Sequence, residues 1–270
     1  MADLRIFSYL PNPRVWKALI AAELCGVDVE VVGATPPKLA DWLWDFDARE
    51  LAAAERTAAS PHARISRRGF RGTLYKTDAF LEAHPFGTVP AAFSGDGRTG
   101  IFESNSILRA VVRAARDDHG LYGRDALSAS RIDSFLDASL VFAREAQVYL
   151  LAAERMDAGT AERMAGAFEF FLSGIEQALD ASEYVAGPEL TIADIGVVCD
   201  LAQFLRERLM TERLAKGGFA PISAGFEADY PHVAAHLVSL ARRPVFADYL
   251  SKTIEQTLPA LVTPTGGSRG

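Results

Sequence analysis

The first thirty residues constrain the fold more than any other part of the chain. Leu4 to Ser8 is a short apolar run stopped by Pro11-Asn12-Pro13. Val15 to Leu24 then carries apolar residues at helical spacing, with Val15, Leu19 and Ala22 on one side. Gly26 ends that run, and the β-branched stretch Asp28 to Val32 follows. The order is strand, helix, strand, and such a crossover is right-handed.

From Thr35 to about Gly72 the pattern changes: Pro36-Pro37, the aromatic cluster Trp42, Trp44 and Phe46, an alanine-rich stretch, and basic residues from Arg64 to Arg71. No strand is predicted there. Asp78 to Ala83 reads as a short helix stopped by Pro85. Val89 to Phe93 leads into Gly95-Asp96-Gly97, a hairpin turn by composition, and a strand at Gly100 to Phe102 follows. Ser104 is placed to cap a helix from Asn105 to about Ala115, whose apolar face is Ile107, Leu108, Val111 and Val112. Beyond Gly123 the spacing predicts helices only, over about 125–156, 160–181, 191–213, 230–241 and 244–256.

Composition narrows the function classes. Hydrophobic residues make up 49% of 270 and charged residues 23%, ordinary globular usage with enough chain for a large core. A net charge of -7 argues against nucleic acid or an anionic membrane as partner and favours a small ligand. No stretch approaches the roughly 18 apolar residues of a membrane span, and no leader is visible, so a cytoplasmic protein is expected. Cys25 and Cys199 have neither disulfide nor metal spacing, and no metal is expected. Thr263 to Gly270 reads as a mobile tail.

Three separated segments carry a resemblance. They are Ser8-Tyr9 with Asn12-Pro13-Arg14 and the helix from Lys17 to Ala22; His84-Pro85-Phe86-Gly87-Thr88-Val89-Pro90 with Phe102 to Ile107; and Leu190 to Ile195. In this order they resemble the glutathione transferase family, most closely the branch that includes the N-terminal region of the gamma subunit of eukaryotic elongation factor 1B. The resemblance implies a thioredoxin-like α/β N-terminal domain at 1–115 with an insert at about 38–72. An all-α helical bundle domain follows at 124–258, supplying the second substrate's pocket, and a tail at 259–270.

It also implies glutathione as cosubstrate. Val89-Pro90 matches the family's cis-proline, beside which the backbone pairs with the cysteinyl part of glutathione; the plain alternative is a trans bond at a strand edge. Glu103-Ser104 matches the pair that receives the γ-glutamyl end, the carboxylate meeting the ammonium and the hydroxyl and helix N-terminus meeting the α-carboxylate. Asn12 stands where many bacterial relatives have a catalytic Ser or Cys. Without a cysteine there, glutathione's own thiol must be activated, by Asn12 or Ser8 as hydrogen-bond donor, with Tyr9 as rival. Asn12-Pro13 is also what a helix start looks like without any catalysis. Arg14 either pulls on the thiolate or is a solvated charge. Thr191 to Asp194 resembles the family's buried capping motif, a structural feature.

The 38–72 insert departs from most relatives. Its aromatics either cover the cleft and stack on an aromatic substrate or pack on the domain. Arg64, Arg67, Arg68, Arg71, Lys38 and Lys76 are candidates for glutathione's glycine carboxylate. The insert is similar to that of the two-chain bacterial β-etherases, which implies cleavage of a lignin-derived β-aryl ether by glutathione thiolate. The competing class is a non-catalytic scaffold subunit, as in the elongation-factor relative, whose long linker and extra domain are not expected here. Family habit implies a homodimer or a heterodimer. Phe135, Phe142 and Tyr149, seven apart, are read as core or interface rather than as a substrate box.

Overall fold

A computed structural model describes residues 2–66, 70 and 72–262. Arg67, Arg68, Arg71 and the tail from Thr263 lie outside the described residues. The chain divides into two compact units, Met1–His119 and Gly120–Gly270.

The first unit opens with β1 (Leu4–Tyr9), α1 (Pro13–Cys25) and β2 (Val29–Ala34). β1 and β2 are parallel, in register from Leu4 opposite Val29 to Tyr9 opposite Ala34. Asn12 starts α1 with its side chain and Gly26 ends it at φ 67, a left-handed conformation that costs glycine nothing.

The insert holds what the local pattern did not predict. It contributes β3 (Trp42–Trp44), β4 (Arg49–Glu50) and β5 (Ala63–Ile65), which join β6 (Thr73–Lys76) in a second sheet of order β4-β3-β6-β5. Strands of two to four residues are too short for a period-two signal, and pairing with distant partners fixes them. Trp44 is buried, donates from Nε1 to Leu39 O at 3.0 Å, and meets Phe7 of β1 edge-on at 5.5 Å between ring centroids. Trp42 lies 6.2 Å from the same ring, and Phe46 lies 5.9 Å from Phe93. The insert's aromatics thus extend the core of the unit.

α2 (Asp78–Ala83) leads to β7 (Ala91–Ser94) and β8 (Gly100–Phe102), a hairpin that completes the first sheet in the order β2-β1-β7-β8. α3 (Ser104–Ala114) packs on α1 and buries Ile107, Leu108, Val111 and Val112. Ser104 is not the cap expected from the sequence: Glu103 precedes the helix, Ser104 is its first residue, and no side chain caps this end. Glu103 makes the turn with its own backbone at φ 65, so Ser104 is already helical.

The second unit is helical: α4 (Ala126–Ala152), α5 (Ala158–Ala181), α6 (Ile192–Leu205), α7 (Thr211–Lys216), α8 (Phe226–Asp229), α9 (Pro231–Ala241), α10 (Pro244–Thr257) and α11 (Pro259–Val262). α6 is buried on every side, as a helix apolar all round must be. Thr191 and Asp194 form the capping box expected of them. The Asp194 carboxylate accepts from Thr191 N at 2.9 Å, Thr191 Oγ1 at 3.1 Å and Val185 N at 2.8 Å. The single helix expected over 191–213 is broken. A tight turn at Arg206–Met210 interrupts it, where buried Glu207 accepts from Tyr149 Oη and from the backbone of Ile222 and Ser223. Those partners are remote in sequence, so local periodicity carries no trace of them.

Candidate functional site

Ser8 and Asn12 lie where β1 runs into α1, and both are fully buried. Asn12 Oδ1 accepts from the Arg14 backbone N–H at 3.0 Å, and its Nδ2 donates to Ser8 Oγ, also at 3.0 Å. Asn12 therefore both caps the helix and ties it to the end of the strand. A Cβ at Gly33 would overlap the Ser8 carbonyl oxygen, so only glycine lets β2 run beside β1 there. Tyr9 and Arg14 are half-buried and keep some surface.

Strand register brings the residues beside the remaining candidates into one row: Phe7 is opposite Ala91, and Ala91 is opposite Phe102. Ser8, Pro90 and Glu103 are the chain neighbours of these three residues, at the same end of the first sheet. The Val89-Pro90 bond is cis, as the resemblance implied; Leu10-Pro11, which drew no such expectation, is cis as well. Val89 is half-buried, and its N–H and C=O have no hydrogen-bond partner among the described residues. Unpaired backbone groups just ahead of a strand are the kind of edge on which another extended chain can pair.

Glu103 is exposed, with φ 65 and ψ 130, a region that costs any residue with a Cβ about 1–3 kcal/mol. Its carboxylate has no partner among the described residues. Beside it Ser104 is buried at the first position of α3, and the first intrahelical bond runs from Ile107 N to Glu103 O at 3.0 Å. The amide groups ahead of that bond and the helix dipole favour an anion at this end.

Two residues of this region carried no assigned role in the sequence. Lys17 is fully buried in α1, and its Nζ donates to Asn105 Oδ1 at 2.8 Å, with Ser104 Oγ at 3.5 Å. It ties the start of α3 to α1; the available signal was a lone lysine in the otherwise apolar run from Val15 to Ala22. His84 is buried against Phe102, stacked at 4.7 Å with an interplanar angle of 1°.

The candidates for a glycine carboxylate separate. Lys76 donates to Gly87 O at 2.6 Å and lies 4.6 Å from the centroid of the Trp44 ring, and burial lowers its pKa. Arg64 pairs with Asp78 at 2.6 Å, and Lys38 is exposed. In the second unit Phe142 and Tyr149 are core, Phe142 stacking on Phe171 at 4.7 Å. Phe135 instead lines adjoining cavities of about 610 and 440 Å³ beside α4 and α5. Among the described residues no three His, Cys, Asp or Glu side chains come together as a metal site, and no helix is long and apolar enough to cross a membrane.

No family model matches the chain. Among curated proteins it is similar to a probable elongation factor 1-gamma of Arabidopsis thaliana, 28% identical over 94% of this chain and 50% of that protein. Elongation factor 1-gamma of Prunus avium is 29% identical over 91% and 47%. A glutathione S-transferase-like protein of a Fusarium species is 26% identical over 71% and 73%. The chain thus spans about half the length of the elongation factors it matches. Among solved structures, a glutathione S-transferase of Methylobacillus flagellatus with glutathione bound superposes with a TM-score of 0.62 at 16% identity, covering 91% of this chain and 98% of that one. A glutathione transferase of Phanerochaete chrysosporium in complex with oxidized glutathione gives 0.60 at 17% identity, covering 94% and 97%. At these identities the likeness establishes the fold: this is a glutathione transferase fold, an α/β thioredoxin-like unit followed by a helical one.

Proposed function

We propose that the first unit binds glutathione and that the protein transfers its sulfur to an electrophile. The observation that carries this reading is the open backbone pair at Val89, just ahead of the row Phe7, Ala91 and Phe102, whose chain neighbours include Ser8 and the unpartnered Glu103 carboxylate. Glutathione in extended form fits that edge: its cysteinyl backbone pairs with Val89, its ammonium meets Glu103, and its α-carboxylate meets Ser104 and the start of α3. Its thiol then falls at the β1–α1 end. Loss of the thiol proton leaves a thiolate, which attacks an electrophilic carbon; the new C–S bond replaces the bond to the leaving group, which departs with its electron pair and takes up a proton.

Asn12 and Ser8 remain the donors proposed for that thiolate, with Arg14 supplying positive charge. Both are fully buried and bonded to each other, so contact with the sulfur requires that they first be uncovered, whereas the half-buried Tyr9 and Arg14 keep surface of their own. A β-aryl ether with a neighbouring ketone is the acceptor to test first, aryloxide being the leaving group. Trp44 is not a stacking surface for it, since the core uses that ring.

The second reading, a glutathione-binding or scaffold subunit without catalysis, is favoured by the burial of Ser8 and Asn12 and by the elongation-factor relatives. Calorimetric titration with glutathione, followed by glutathione-dependent release of a fluorescent phenol from a coumarin-tagged β-aryl ether, separates the two. Binding with release that falls in Asn12→Ala supports the transferase. Binding without turnover of this ether or of other aromatic electrophiles supports the scaffold, and no binding removes both.

A further inference from the structure

The short turn before Pro90 is held by one backbone bond and by side chains rather than by the sheet. Gly87 N–H donates to His84 O at 2.9 Å, and Lys76 Nζ reaches Gly87 O. Gly87 sits at φ 57, and a Cβ there would lie 3.2 Å from Lys76 Nζ and 3.0 Å from Leu81, so glycine admits the lysine. One residue on, the Thr88 backbone N–H donates to His84 Nε2 at 3.2 Å, with Thr88 Oγ1 at the same distance from that nitrogen. The next residue is Val89, with its unpaired N–H and C=O.

A nitrogen that accepts from a backbone N–H carries no proton, so the neutral ring holds its hydrogen on Nδ1. Nδ1 is itself buried and has no partner among the described residues. Leaving a donor unsatisfied is costly, and the fold keeps it in exchange for an acceptor at Nε2. Stacking on Phe102 fixes the ring plane, and Phe102 belongs to the row next to Pro90 and Glu103. Burial, helped by the Lys76 charge and opposed by the contact with the Thr88 backbone, holds the imidazole at a pKa of about 4, so it is neutral throughout the neutral range and the ring nitrogen facing Thr88 N–H accepts.

We propose that His84 is a positioning residue: locked by Phe102 as the Nδ1–H tautomer, it fixes Thr88 and thereby presents the Val89 backbone edge to the peptide ligand. The inference about the ligand rests on the glutathione reading, whereas that about the turn does not. The test compares His84→Gln, whose side-chain oxygen can take the place of Nε2, with His84→Met, similar in length but without an acceptor. Nitrogen NMR of the wild-type imidazoles at neutral pH should show His84 protonated at Nδ1. Amide exchange of Thr88 should be slow in the wild type and in His84→Gln, and roughly tenfold faster in His84→Met. Calorimetry with reduced glutathione should give affinity within about twofold of wild type for the Gln variant and a loss of roughly five- to tenfold for Met, at equal melting temperatures.

An Nε2–H tautomer, or equal Thr88 exchange in the two variants, overturns the proposal. Equal glutathione affinity in the two variants overturns its ligand half. Failure of the wild type to bind glutathione removes the glutathione reading, while the tautomer and exchange still decide whether His84 holds the turn.

Discussion

Glycine at position 103 should make the protein more stable and a poorer binder of glutathione at once. At φ 65 and ψ 130 a residue with a Cβ pays about 1–3 kcal/mol. Glycine escapes that cost but brings about 0.5–1 kcal/mol of extra chain entropy to the unfolded state. It also forfeits the ~0.3–1 kcal/mol a carboxylate gains beside a helix N-terminus. Alanine forfeits the same carboxylate and keeps the strain, so the informative difference is Glu103→Gly against Glu103→Ala: about 0.5–2 kcal/mol in favour of glycine. In a chain of this size that is roughly 2–4 °C in Tm per kcal/mol.

The carboxylate has no partner among the described residues, so its removal should disturb little of the fold. Its charge-assisted contact with an ammonium is worth about 1.5–3 kcal/mol, a roughly ten- to hundredfold rise in Kd in both variants. Urea unfolding and calorimetric titration read the two effects separately. A glycine variant no more stable than the alanine variant refutes the strain argument. Unchanged Kd in both removes Glu103 from the ligand site.

Asp194→Ala should cost about 3–5 kcal/mol, because it strands buried donors at Thr191 and Val185 that the carboxylate satisfies, and urea unfolding measures it. His84, lowered to about 4 from an ordinary 6.5, is protonated more readily when unfolded. Its contribution is therefore full above pH 6.5 and lost as pH falls toward 4, and urea midpoints of His84→Gln should fall less steeply than wild type over that window. Burial, aided by the charges of Asp118 and Asp117, raises the Cys25 thiol from 9.0 to about 11, so disulfide-reagent labelling of the native protein near neutral pH should be roughly 100-fold slower than a free thiol's, and should accelerate as pH rises toward 11.

Features set by a few adjacent residues were legible in the sequence. The β1-α1-β2 opening, the Asn12-Pro13 helix start, the Gly95–Gly97 hairpin, the cis Val89-Pro90 bond within its motif, and the Thr191–Asp194 box each depend on local spacing, local capping or a short motif. So did the succession of an α/β unit and a helical one, because the change from period two to period 3.6 is written along the chain. The site candidates Ser8, Pro90 and Glu103 were named from separate segments, and it takes sheet register to pair the residues beside them, Phe7, Ala91 and Phe102.

The rest was decided by partners far away in sequence. Trp44 reads as a possible substrate platform until Phe7 and Phe80 close around it, and β3 and β5 of the insert exist because β6 pairs with them, β4 because β3 does. Lys17 carried no assigned role in the sequence; 88 residues later Asn105 supplies the acceptor that lets it be buried. Glu103 reads from the sequence as a carboxylate for a ligand's ammonium, and its positive-φ backbone appears only when β8 and α3 are both in place. Local patterns specify elements because hydrogen bonding and capping act within a few residues. Burial, pairing and strain are set by which elements meet, and that is a property of the tertiary structure alone.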